Sequence, residues 1–191
     1  NVGLYPEYVN DAGITELTDR FGLSVFRLAM YSGEADDIFG YADGDDANRE
    51  KLEKLMLEAV DVCAKLGIYV IVDWHSHHIY TDQAIDFFKI VATKYKGVPN
   101  LLYEIYNEPE KDSWEDVKAY SEKVINAIRG IDRSAIILVG SPHWCQDIHI
   151  VADNPIMGHK NIMYTVHFYA ATHKQFLRDR ADYALNKQIP I

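Results

Sequence analysis

Asn107-Glu108-Pro109 is the sharpest cluster of chemically capable residues in the sequence. Proline has no backbone N–H and ends a strand, so it fixes the Glu108 carboxyl at the rim where the strand stops. An amide beside a carboxyl at such a rim suits a substrate hydroxyl contact next to a general acid. The plain alternative is a turn, in which all three residue types are common. Glu104 stands earlier in the same apolar run. A carboxylate there is costly unless paired, and Arg27, which interrupts another apolar run, is its natural partner. Regular alternation would put Glu104, Tyr106 and Glu108 on one side and Tyr103, Ile105 and Asn107 on the other.

Asp73-Trp74-His75-Ser76-His77-His78 is a second cluster. Its histidines could ligate a metal. The alternative is a loop rim where His75 binds substrate and His77 and His78 are solvated. No H-E-x-x-H occurs and the remaining carboxylates lack ligand spacing, so no metal and no cofactor are expected. His167-Phe168-Tyr169 puts two polar aromatics at a strand end, on one face if the strand stays regular. Trp144, in a loop after Ser141-Pro142-His143, could stack on a sugar face or simply anchor the loop. A serine hydrolase needs a nucleophile elbow, and no G-x-S-x-G is present.

Five apolar runs must position these residues: 23–30, 68–74, 101–106, 135–140 and 162–168, with Ile189-Pro190-Ile191 reading as the opening of a sixth. Between them lie helical periodicities. Asn48 to Leu66 carries Leu52, Leu55, Met56, Ala59, Val60 and Cys63 on one stripe and stops at Gly67. Thr81 to Tyr95 carries Ala84, Phe87, Phe88, Val91 and Ala92. Ser113 to Arg129 opens on Ser113 and Asp116, spaced like a capping box. Apolar strands joined by helices predict an α/β fold with a parallel sheet. A doubly wound sheet usually has a glycine-rich phosphate turn, and none is present. A (β/α)8 barrel instead gathers polar chemistry at the C-terminal ends of many strands. Arg27, His75, Asn107, Glu108, Trp144, His167 and Tyr169 all sit at or just past such ends, so a barrel is expected. Eight strands usually take about 250 residues, so five and a stub read as the middle of one.

The chain has 191 residues, 19 Lys and Arg against 29 Asp and Glu, and a net charge of −10. That balance disfavours nucleic acid and polyanionic substrates and is compatible with a neutral one. Nothing approaches the ~18-residue apolar run of a membrane span. The start lacks the pattern of a signal peptide, and the absence of an initial Met implies residues upstream. Cys63 and Cys145 are too far apart in sequence to argue for a disulfide or a zinc site.

Taken in order, the stretches Val25 to Tyr31, Val72 to His75, Tyr103 to Pro109, Trp144 to His149 and Thr165 to Ala170 resemble glycoside hydrolase family 5, and within it the bacterial endoglucanases (cellulases). The resemblance covers nearly the whole chain. It implies a retaining (β/α)8 hydrolase of β-1,4-glucan in which the five runs are strands two to six, residues 1–191 being part of the catalytic domain. It implies that Glu108 is the acid/base, that Asn107 holds the sugar 2-hydroxyl and that Arg27 supports the nucleophile electrostatically. His75, His167 and Tyr169 would line the cleavage subsite, with Tyr31 and Trp144 as sugar-binding aromatics. The nucleophile, a second carboxyl that retaining chemistry requires, is expected beyond Ile191. The partner expected is a polysaccharide, cellulose or a related β-glucan, with no nucleic acid and no membrane; oligomeric state is not read from the sequence. Secretion follows from the size of that substrate. The alternatives are a related hydrolase of mannan, xylan or mixed-linkage glucan, or a non-catalytic carbohydrate-binding piece.

Overall fold

A computed structural model describes residues 2–33 and 40–191. After a short 3-10 turn (Pro6–Tyr8) and helix α1 (Asp11–Phe21), strands and helices alternate. The strands are β1 (Val25–Tyr31), β2 (Tyr69–His75), β3 (Leu101–Glu104), β4 (Ile136–Gly140) and β5 (Ile162–Thr165). All neighbours are parallel, and the strand order is β1-β2-β3-β4-β5. This unbroken order decides between the two candidate architectures. A doubly wound sheet reverses its order at a switch point, whereas here each crossover steps on to the next place, as around a (β/α)8 barrel.

Helices α2 (Asp46–Leu66), α3 (Thr81–Lys94) and α4 (Trp114–Arg129) cover one face of the sheet. The expected stripes are the buried ones: Leu52, Met56, Ala59, Val60 and Cys63 on α2, and Ala84, Phe87, Phe88, Val91 and Ala92 on α3. Gly67 closes α2 at φ 69°, a left-handed conformation that glycine adopts without steric cost. Ser113 caps α4 by accepting from the Asp116 N–H. The capping box is not reciprocal, however: the short Asp116 carboxylate accepts from Ser113 Oγ instead of a backbone donor. Beyond β4, α5 (Pro142–Cys145) is a tight turn, followed by α6 (Ile148–Asp153) and α7 (Gln175–Asn186).

The covered face of the sheet buries Leu28 and Met30, Val70 and Val72, Tyr103, Ile137 and Val139, and Tyr164. Trp74 packs there against Phe87, Phe88 and Tyr41, with ring centroids 5.5–6.3 Å away. The opposite face is open at its lower end, where Val25 and Tyr69 are exposed, and at its β5 edge, where Met163 is. Higher up it carries charge. The register puts Ala29, Asp73 and Glu104 side by side on one rung, with Arg27 two residues below Ala29. The stretch Ile189 to Ile191 forms no strand among the described residues, but the Pro190 carbonyl accepts from Tyr164 N at 2.9 Å beside β5.

Candidate active site

β3 ends at Glu104, earlier than its apolar run predicts. Ile105 and Tyr106 are both fully buried. Tyr106 donates to the Asp112 carboxylate, and the Ile105 carbonyl accepts from Tyr120. Two consecutive residues thus turn inward, as at a bulge, and the alternation slips by one. Asn107 therefore returns to the side of Glu104, contrary to the regular alternation expected. Its amide donates to the Trp74 carbonyl and that of Glu108 donates to the Ser76 carbonyl. Gly140 makes room for this path: a Cβ there would lie 2.4 Å from the Tyr106 carbonyl oxygen and 2.9 Å from Pro109 Cδ.

Arg27 gathers the result. Its Nε and Nη2 donate to the two Glu104 carboxylate oxygens at 2.7 and 2.9 Å, a bidentate pair. Nη2 also donates to Asn107 Oδ1 at 2.8 Å. The ion pair anticipated between Arg27 and Glu104 is thus present, and it includes Asn107. Burial and the neighbouring Asp73 push the Glu104 carboxyl up, against the pull of Arg27. Burial also works against the Arg27 charge, but the Glu104 hydrogen bonds and the Asp73 and Glu104 charges outweigh it and raise its pKa.

Glu108 stands next to this cluster with its side chain a quarter exposed. Its Oε1 lies 2.7 Å from His167 Nδ1. That hydrogen bond holds the carboxyl below the usual range, outweighing partial burial. The other face of the His167 ring approaches Glu104, with Nε2 4.0 Å from Oε1. β5 stops at Thr165, so a regular strand does not place His167 and Tyr169. His167 N donates to the Cys145 carbonyl, which turns the histidine toward Glu108. Tyr169 is 75% exposed, and its amide donates to His173 Nδ1. Trp144 and its neighbours His143 and Cys145 have left-handed φ of 53–60°, costly for non-glycine residues. The Trp144 amide donates to the Pro109 carbonyl, which hangs this turn on the Asn107-Glu108-Pro109 segment. The result is a cavity of about 400 Å³ lined by Glu108, Trp144, Gln146, His167, Tyr169 and His173.

His75 and Tyr31 do not line that cavity; they pair with each other, ring centroids 5.0 Å apart. His75 Nδ1 contacts Asp73 Oδ2 at 2.7 Å, and Asp73 in turn lies 2.9 Å from Arg27. The histidine cluster does not converge: His77 Nδ1 faces the Glu108 carbonyl at 3.1 Å, while the His78 carbonyl accepts from Ser76. Among the described residues no three His, Cys, Asp or Glu side chains are grouped to hold an ion. Both cysteines are free and buried.

The structure therefore brings Arg27, Asn107, Glu108 and His167 into one network, puts Trp144 and Tyr169 at the cavity wall, links His75 to Arg27 through Asp73 and sets Tyr31 against the His75 ring. Sequence reasoning missed Asp73 as a site residue, and also Gln146 and His173. The signal for Asp73 was the one that picked out Glu104 and Arg27, a charge within an apolar run. Gln146 lay within the Trp144 to His149 stretch that carries the family resemblance, while His173 had no local signal.

A family model described as cellulase (glycosyl hydrolase family 5) matches residues 1–191. The chain belongs to glycosyl hydrolase family 5. It is 42% identical over 194 residues to an endoglucanase of Clostridium saccharobutylicum, covering 98% of this chain and 41% of that protein. It is 41% identical to endoglucanase A of Butyrivibrio fibrisolvens, covering 100% of this chain and 44% of that protein. Among solved structures, one from Cytophaga hutchinsonii superposes with a TM-score of 0.87 at 41% identity, over 95% of this chain and 58% of that one. The catalytic domain of Thermobifida fusca endoglucanase Cel5A gives 0.84 at 30% identity, over 100% of this chain and 63% of that one. This family 5 chain thus spans less than half the length of the curated relatives it matches.

Proposed function

We propose that this chain forms part of the catalytic domain of a secreted endo-β-1,4-glucanase that cleaves internal bonds of cellulose with retention of configuration. The observation that carries the reading is the Glu108–His167 pair at the rim of an aromatic-walled cavity, in a family 5 chain. Aromatic walls suit sugar faces, and a net charge of −10 suits a neutral polymer. The solved complex of Thermobifida fusca Cel5A with cellotetraose adds support, since that domain is 30% identical to this chain.

In this reading Glu108 gives its proton to the glycosidic oxygen as the bond to the anomeric carbon breaks. A carboxylate nucleophile beyond Ile191 bonds that carbon. Glu108 then takes a proton from the water that hydrolyses the glycosyl-enzyme. Two other carboxylates, Asp73 and Glu104, are nearly fully buried and held by Arg27, which makes either a poor nucleophile. The charge of the nucleophile carboxylate beside Glu108 would push it back up and keep it protonated for the first step. Asn107 holds the sugar 2-hydroxyl, Arg27 offers its charge to the nucleophile, His75, His167 and Tyr169 line the cleavage subsite, and Trp144 and Tyr31 stack on sugar rings. No cofactor is needed.

The test is hydrolysis by the intact protein of carboxymethylcellulose against mannan, xylan and mixed-linkage glucan, with Glu108→Gln alongside. Preference for the cellulose derivative is expected, with the variant slowed by orders of magnitude on unactivated glucan and binding nearly unchanged. Preference for mannan or xylan would transfer the reading to those substrates. Near-wild-type turnover in Glu108→Gln would remove the assignment of Glu108.

A further inference from the structure

Asp73 has no role in the reading above, yet it sits between two residues that do. Its side chain is fully buried. Oδ2 lies 2.7 Å from Nδ1 of His75, two residues along the same face of β2, and 2.9 Å from Nη2 of Arg27. The Nη2 hydrogens are directed at Glu104 and Asn107. Arg27 thus supplies Asp73 with charge, and His75 is its hydrogen-bond partner. Oδ1 has no partner among the described residues.

A carboxylate can only accept, so its short contact with His75 requires a proton on Nδ1. A neutral imidazole has one N–H, and Nε2 is then a bare acceptor. Burial and the Arg27 charge hold His75 down to about 4, which keeps the ring neutral. Burial pushes Asp73 up to about 7 against the pull of Arg27, so the carboxylate form prevails above neutrality. Among the described residues, the other charged or titratable groups facing the pair are Tyr31 at the end of β1, His77 just past β2, Glu104 on β3, Glu108 just past it and His167 past β5.

We propose that Asp73 is a positioning residue for His75: it holds the ring with its proton on Nδ1, so that Nε2 meets a substrate hydroxyl as an acceptor, and it ties that ring to the Arg27 network beside Glu108. The inference rests on His75 being a sugar contact.

The experiment is ¹⁵N NMR of the His75 ring in the intact protein at pH 8, together with kinetics on soluble cello-oligosaccharides. Wild type should show a protonated Nδ1 and a bare Nε2. In Asp73→Asn, whose amide can donate as well as accept, the ring should take up the Nε2–H form. KM should rise about 3- to 10-fold, the scale of one lost neutral hydrogen bond, with kcat changing less. In a His75→Ala background the same substitution should add little. A wild-type ring protonated on Nε2 overturns the proposal, and this measurement decides even if Asp73→Asn does not fold. An equal KM rise in the His75→Ala background overturns it as well. If the wild-type protein hydrolyses no β-glucan, the proposed function fails, while the NMR result still decides what Asp73 does to His75.

Discussion

Arg27 is one cation facing two buried carboxylates, Asp73 and Glu104. Such a group pairs well only if the remaining charge is spread or neutralised, and the proton shared around Asp73 and His75 does part of that. This has a consequence for stability. His75, held down to about 4 from 6.5, binds fewer protons folded than unfolded between those values. Its contribution therefore grows as pH rises through that window. Asp73, pushed up to about 7 from 3.8, binds more protons folded than unfolded, and its contribution shrinks as pH rises through nearly the same window. The two slopes oppose each other. Asp73→Asn removes the second of them, so the Tm of the variant minus that of wild type should climb from about pH 4 to about pH 7. Thermal unfolding across a pH series measures this, and a difference that stays constant would count against the opposed pair.

At the scale of elements, the end of β3 decides the site. Its regular part stops at Glu104, and the buried pair Ile105 and Tyr106 shifts the phase so that Asn107 joins Glu104 on Arg27. Gly140 at the end of β4 permits this because the Tyr106 carbonyl occupies the space a side chain would need. Gly140→Ala should destabilise by about 1–3 kcal/mol, the usual cost of forcing a methyl into a packed site. It should also displace Glu108 and lower activity. Urea unfolding and kinetics together test this; a variant with wild-type stability would show that the segment yields freely. Ser113→Ala should cost about 1 kcal/mol, the usual worth of an N-cap, without changing KM, because α4 lies on the far side of the sheet. Strand and helix positions were legible because buried faces impose periodicity. The phase slip was not, since Ile105 and Tyr106 read as ordinary strand residues until Tyr120 and Asp112 engage them.

Across the whole molecule, β1 and β5 are each paired with one strand among the described residues. On their free sides Ala29 accepts from Val2 N, and Tyr164 donates to the Pro190 carbonyl. The inner face shows Val25 at 42%, Tyr69 at 51% and Met163 at 36% exposure. Unpaired edges and an open apolar face favour association. A polypeptide of residues 1–191 by itself should self-associate, and, on the proposed reading in which Glu108 is the acid/base and the nucleophile lies outside these residues, it should not hydrolyse β-1,4-glucan, because acid assistance alone leaves most of the barrier in place. Light scattering and an assay on carboxymethylcellulose check both. A monomer that turns over would mean that another carboxylate of this chain is the nucleophile.

Sequence alone sufficed for the winding order, the helices α2 to α4 and the position of Arg27, Asn107, Glu108 and His167 on or just past the strands, because strand periodicity, capping chemistry and the cost of a charge in an apolar run are all local. It also carried the family resemblance, through motifs that each lie within a few consecutive residues. Tertiary structure alone decided which of those residues meet. Glu108 and His167 are 59 positions apart, and Arg27 lies 80 from Asn107. Contacts over such separations depend on strand register, on the slip after Glu104 and on the left-handed turn at Trp144. Each of these is set by packing against other elements, and a side chain's own neighbours in the chain do not encode it.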